Sequence, residues 1–164
     1  MTRMLVVAAS KHGSTTEIAE AVGDELRRRG VEVTVAEAAH APTVLDFDGY
    51  VIGSAVYAGH WVGEVSHFVE EHHHLLAARP VWLFSSGPVG EIASGDDRTP
   101  EAKAFGDSLA ARGHHVFAGK LERDDLSLLE RAAVRFVHAP YGDFRNWTEV
   151  EHWADEIAAA VISA

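Results

Sequence analysis

No cysteine occurs in the chain, which excludes a disulfide framework, a thiolate metal site and a thiol nucleophile together. Basic residues are scarce: 14 Lys and Arg stand against 25 Asp and Glu, a formal net charge of −11. Nucleic-acid binding draws on clustered Lys and Arg, so no nucleic-acid partner is expected, and the same surface disfavours anionic lipid. The acidity suits docking to basic partner proteins and serves equally as a solubility device. Long apolar runs are missing too. The first, Met4 to Ala9, is too short for a signal-peptide core and runs into Ser10, Lys11 and His12 rather than a cleavage-like site. A cytoplasmic chain without stable membrane insertion is the expectation.

What remains is globular composition, 47% apolar and 24% charged over 164 residues, which fits one domain over 1–164. Met4 to Ala9 (MLVVAA) is a continuous apolar run, as expected of a strand buried on both faces of a parallel sheet. From Thr15 to Arg29 the pattern is helical, with Ile18, Val22 and Leu26 on one face and Gly30 as the stop. The alternation repeats. Val31 to Ala36 and Tyr50 to Ser54 read as strands, and Val65, Phe68, Val69 and His72 share a helical face. Val81 to Phe84 is a fourth strand, Pro100 to Arg112 a helix closed by Gly113, and His115 to Ala118 the fifth strand. Two further helices follow, Asp124 to Val137 with Asp124 or Asp125 as its cap, and about Thr148 to Ile162 with Thr148 as its cap. Five strands alternating with helices predict an α/β, open, doubly wound sheet with helices on both faces.

In such a sheet, ligands sit outside the carboxyl ends of the strands where strand order reverses. The loop after strand one, Ser10-Lys11-His12-Gly13-Ser14-Thr15-Thr16, offers hydroxyls and backbone N–H groups immediately ahead of a helix. It reads as a phosphate cradle, with Gly13 supplying backbone freedom; Ser14 or Thr15 acting merely as a helix cap is the simpler alternative. GxGxxG and the Gly-Lys-Ser/Thr ending of a Walker loop are both absent here. So are the acidic residues that a receiver domain needs after its first strand.

Ser10 through Thr16 resembles the flavodoxin phosphate loop. Ile52-Gly53-Ser54-Ala55-Val56-Tyr57-Ala58-Gly59-His60 resembles the isoalloxazine loop of the flavodoxin-type, menaquinone-dependent protoporphyrinogen oxidases. The similarity continues through Phe84-Ser85-Ser86, Ala118-Gly119-Lys120-Leu121 and Asp143-Phe144-Arg145-Asn146-Trp147. This resemblance implies a five-stranded parallel sheet of order 2-1-3-4-5 and FMN as cofactor. It also implies oxidoreductase chemistry with a redox partner protein, a quinone or a small-molecule electron donor or acceptor. By the resemblance, Ser10, His12, Gly13, Ser14 and Thr15 hold the phosphate. The flavin ring rests between Ser54, Ala55, Val56, Tyr57, Ala58, Gly59, His60 and Trp61 on one side and Ser85, Ser86, Gly87, Pro88 and Gly90 on the other. Tyr57 and Trp61 suit aromatic platforms. Ser85 to Gly90 holds no aromatic, so one ring face stays open to a substrate or quinone. An electron carrier, or an FMN-binding sensor without turnover, is the alternative.

His72, His73 and His74 are consecutive, and helical neighbours point about 100° apart, so they form a solvated surface rather than a metal site; no metal is expected. His60 is a catalytic candidate as proton donor, or else a solvent-facing loop residue. Trp147 and Trp153 dock the last helix. Arg145 fixes that helix or pairs with an anionic substrate, the structural role being the simpler.

Overall fold

The computed structural model describes residues 1–87, 98–121, 127–137 and 142–163. Strand β1 (Arg3–Ala9) leads into helix α1 (Ser14–Arg28), then β2 (Glu32–Glu37), β3 (Gly49–Tyr57) and the two-residue β4 (His60–Trp61). Helices α2 (Gly63–Glu71) and α3 (His73–Ala77) precede β5 (Val81–Ser86), followed by α4 (Pro100–Ser108), β6 (Gly113–Phe117) and β7 (Lys120–Leu121). The remainder is α5 (Leu128–Val137), β8 (Gly142–Asp143) and α6 (Trp147–Ile162).

The five long strands are parallel in the order β2-β1-β3-β5-β6. That is 2-1-3-4-5 when the long strands alone are numbered, as expected. Two small additions were not foreseen: β4 pairs antiparallel with β3, and β7 with β8. Alternate residues of β1 serve opposite layers. Met4, Val6 and Ala8 pack with Ile18, Val22 and Leu26 of α1 and Trp153 and Ile157 of α6, whereas Leu5, Val7 and Ala9 pack with Val65, Phe68 and Val69 of α2 and with Leu76. Burial on both faces is why these strands read as continuous apolar runs.

Helix α1 ends as expected near Gly30, through Val31 N–H to Leu26 O (3.1 Å) and Gly30 N–H to Arg27 O (3.0 Å), the Schellman pattern. Helix α4 stops earlier than its sequence suggests. Ala110 adopts φ 49°, and the same bond pair forms from Ala111 to Gly106 (2.9 Å) and Ala110 to Asp107 (3.2 Å), leaving Gly113 to open β6. The helical face expected through His72 is broken there, His72 standing between α2 and α3. Asn146, rather than Thr148, caps α6 by accepting from Glu149 N–H at 3.2 Å. Described α5 begins at Leu128; Asp124 and Asp125 lie outside the described residues. No helix among the described residues is long and apolar enough to cross a membrane.

Candidate cofactor site

From β1 the chain moves outward to β2 and then returns past β1 to β3, so strand order reverses between the carboxyl ends of β1 and β3. The register sets Ala9 beside Ser54, Ser54 beside Ser85, and Ser86 beside Phe117. The loops after all four strands therefore leave the sheet from one end.

The loop after β1 has the donors that an anion cradle needs. Ser10 Oγ accepts from Thr15 N–H at 3.3 Å, and Gly13, at φ 87° in the left-handed region, is the N-cap of α1 without any side-chain cap bond. Neither Ser14 nor Thr15 therefore acts as the cap that the simpler alternative requires. Thr15 is fully buried, and its Oγ1 has no hydrogen-bond partner among the described residues. A buried hydroxyl left unpaired costs about 1–3 kcal/mol. Here it lies in the first turn of a 15-residue helix, whose N-terminal amides and dipole favour an anion. These residues fit the phosphate of FMN, with Ser10, Gly13, Ser14 and Thr15 supplying backbone and hydroxyl donors.

The second loop is a tight hairpin. Tyr57 pairs with His60 and Val56 with Trp61, while Ala58 (φ 50°) and Gly59 (φ 80°) both take positive φ, the requirement of a two-residue type I′ turn. Ser54 is buried and staples the base, its Oγ donating to Ala55 O (2.9 Å) and accepting from Val62 N–H (2.8 Å). Ala55 and Val56 are half-buried, and Tyr57 to His60 are exposed. Trp61 departs from the platform role: it is 5% exposed, packs on Phe105 with centroids 5.9 Å apart, and donates Nε1–H to Ser85 Oγ at 2.8 Å. Ser85, itself fully buried, also meets His114 Nε2 at 3.1 Å. Trp61 and Ser85 thus brace the hairpin from inside the core. Tyr57 is left as the exposed aromatic of this loop, 42% exposed, with Lys11 Nζ 3.8 Å from its ring centroid. His60 Nδ1 lies 2.8 Å from Glu101 Oε1. A carboxylate accepts, so Nδ1 is the donor of this pair.

The third wall comes from β5 and β6. Ser86 is 4% exposed; Gly87 donates its N–H to Phe117 O at 2.9 Å, and Gly119 packs so closely that a Cβ there would stand 3.2 Å from Gly87 Cα. Pro88 and Gly90 lie outside the described residues. Arg145 proves structural. Its buried guanidinium binds Asp143 Oδ2 (2.8 Å), Glu17 Oε2 (3.2 Å) and Ser14 O (3.2 Å), tying the entry of α6 to the first turn of α1. That pairing holds the Asp143 carboxyl down at about 2.

Sequence reading missed Glu130. Ser127 Oγ accepts from Glu130 N–H (3.2 Å) while Glu130 Oε1 accepts from Ser127 N–H (3.3 Å), a capping box whose S-x-x-E signal is visible in the chain. Its other oxygen, Oε2, accepts from Tyr57 Oη and meets His12 Nε2, each at 3.0 Å, with Lys11 Nζ at 3.5 Å. Burial pushes this carboxyl up, but the bonds from the Ser127 amide, His12 and Tyr57 outweigh it and leave it at about 2. No cluster of His and carboxylates among the described residues could hold a metal ion. A separate groove of about 740 Å³ runs between residues 41–45 and Glu64, His67 and Phe68 of α2.

The flavodoxin domain model matches residues 5–146. The chain is 23% identical over 173 aligned positions to "Protoporphyrinogen IX dehydrogenase [quinone]" of Escherichia coli strain K12, covering 95% of this chain and 94% of that protein. Among solved structures, a flavodoxin from the domain Archaea superposes with TM-score 0.65 at 15% identity, over 98% of this chain and 99% of that one. The rubredoxin oxygen:oxidoreductase of Desulfovibrio gigas gives TM-score 0.67 at 13% identity, over 99% of this chain and 37% of that one. A buried, unpartnered hydroxyl at a helix N-terminus by the switch point of a parallel sheet, together with a domain match across most of the chain, identifies this protein as a member of the flavodoxin domain family, with FMN as its cofactor.

Proposed function

We propose that this protein is an FMN-dependent oxidoreductase that oxidises a porphyrinogen-type substrate and passes the electrons to a quinone. When bound, FMN supplies the acceptor and donor of reducing equivalents. The observation that carries the reading is the withdrawal of Trp61 into the core. Tyr57 alone of the two expected platforms remains exposed, and Ser86 and Gly87 bring no aromatic ring to the opposite wall, which favours a flavin with one face open to a flat substrate. Full-length similarity to a quinone-linked protoporphyrinogen IX dehydrogenase supports the same assignment.

In this reading the phosphate loop binds and the hairpin orients the ring. His60, its Nδ1–H committed to Glu101, presents Nε2 to take a proton from the substrate. A second reading, an electron carrier docking to a basic partner, is favoured by the net charge of −11. Anaerobic turnover with protoporphyrinogen and a menaquinone analogue separates the two. The enzyme reading expects FMN-dependent porphyrin formation coupled to quinone reduction. Absence of turnover, with salt-sensitive electron transfer to a basic protein, would establish the carrier.

A further inference from the structure

Glu130 sets a carboxylate against the loop after β1. It belongs to α5, remote in sequence from both loops, yet one oxygen reaches His12, Tyr57 and Lys11 at 3.0, 3.0 and 3.5 Å. Only 13% of its side chain is exposed, and the capping box with Ser127 fixes its other oxygen. Lys11 and His12 are the basic side chains of the phosphate loop, so that loop's basic groups already face an anion from the protein itself.

We propose that Glu130 is an internal counter-anion of the phosphate loop, and that FMN binding requires Lys11 and His12 to be drawn from it toward the cofactor's phosphate. The proposal rests on the reading of Ser10 to Thr15 as the phosphate cradle. If the carboxylate keeps its place, the incoming phosphate meets a like charge at the loop; if it lets go, the phosphate must replace it as the partner of His12 and Lys11, and Tyr57 loses its acceptor. On either route Glu130 weakens binding through the phosphate specifically, and on the second, to which the proposal commits, α5 is the element loosened when FMN enters. Its effect is to set cofactor affinity and to latch the crevice edge in the cofactor-free protein.

The test compares FMN with riboflavin, which carries the same ring without the phosphate. Glu130→Gln removes the charge while glutamine still closes a capping box, so the fold of α5 is retained. Calorimetric titration of the variant should show FMN bound about tenfold more tightly than by the parent, a like-charge term of ordinary size for near-surface groups, with riboflavin affinity unchanged. An unchanged or weakened FMN affinity relative to riboflavin overturns the proposal. A parent protein that binds riboflavin as tightly as FMN fails at the phosphate cradle instead, which separates the two failures. Amide exchange over Ser127 to Arg131 gives a second readout: it should quicken on addition of FMN and not of riboflavin. Equal protection with both ligands would show that Glu130 never releases the loop.

Discussion

Replacing Thr15 by valine should move stability and cofactor affinity in opposite directions. Thr15 is fully buried in the first turn of α1, and its hydroxyl has no partner among the described residues. An unpaired buried hydroxyl costs about 1–3 kcal/mol, and exchanging it for a methyl of the same shape is neutral to stabilising. The two residues have similar helix propensity, so Thr15→Val should stabilise the cofactor-free protein by up to about 2 kcal/mol. At roughly 2–4 °C per kcal/mol for a chain of this size, its Tm should rise by up to about 4–8 °C. With FMN the same hydroxyl gains a charged acceptor, and a hydrogen bond to a charged group contributes about 1.5–3 kcal/mol. FMN affinity should therefore fall roughly 10- to 150-fold. Calorimetric melting of the cofactor-free protein and titration with FMN measure the two effects. A lower Tm in the variant, or an unchanged Kd for FMN, would refute the assignment of this hydroxyl to the phosphate.

Three other outcomes are expected. Gly59→Val should destabilise the cofactor-free protein by about 1–3 kcal/mol, all of it from backbone strain, because Gly59 stands at φ 80° with open space around its Cβ position; urea titration checks it, and a silent variant would remove the type I′ turn from the account. Arg145→Met should cost about 1.5–3 kcal/mol by removing a buried guanidinium bonded to Asp143, Glu17 and Ser14 O, and Arg145→Lys should fail to restore it because an ammonium lacks the planar fork. Both melt by circular dichroism, and rescue by lysine would contradict the geometry. Glu130 and Asp143 are held at about 2 in the folded chain, below their ordinary 4.5 and 3.8. Their contribution to stability is therefore fully present above those ordinary values and is lost as pH falls from about 4.5 through about 2. Tm recorded across that range should drop more steeply for the parent than for Glu130→Gln, and parallel profiles would refute it.

Much of the architecture was legible in the sequence. Strands buried on both faces leave uninterrupted apolar runs, and Gly30 marks the end of α1. What escaped was set by tertiary packing or by very short pairing. Strand β4 is two residues long and carries no periodicity to detect. Ala110 takes positive φ where a glycine was the natural sign of a helix end. Trp61 reads as a loop aromatic, and its burial depends on Phe105 and on Ser85, 24 residues away. Glu130 is visible locally as half of a capping box, but its reach to His12 across 118 residues of sequence is a product of the fold. The start of α1 just after Gly13 was readable, because the chemistry of a helix N-terminus is local.

An amide NMR titration of the isotopically labelled protein with FMN locates the cofactor on the sheet. Binding at the switch point should give the largest shifts at Ser10 to Thr16 and at Ala55 to His60, saturating at one FMN per chain, with the Thr15 amide among the most displaced. Shifts centred instead on the groove formed by residues 41–45 and helix α2, with the α1 N-terminus unmoved, would contradict it.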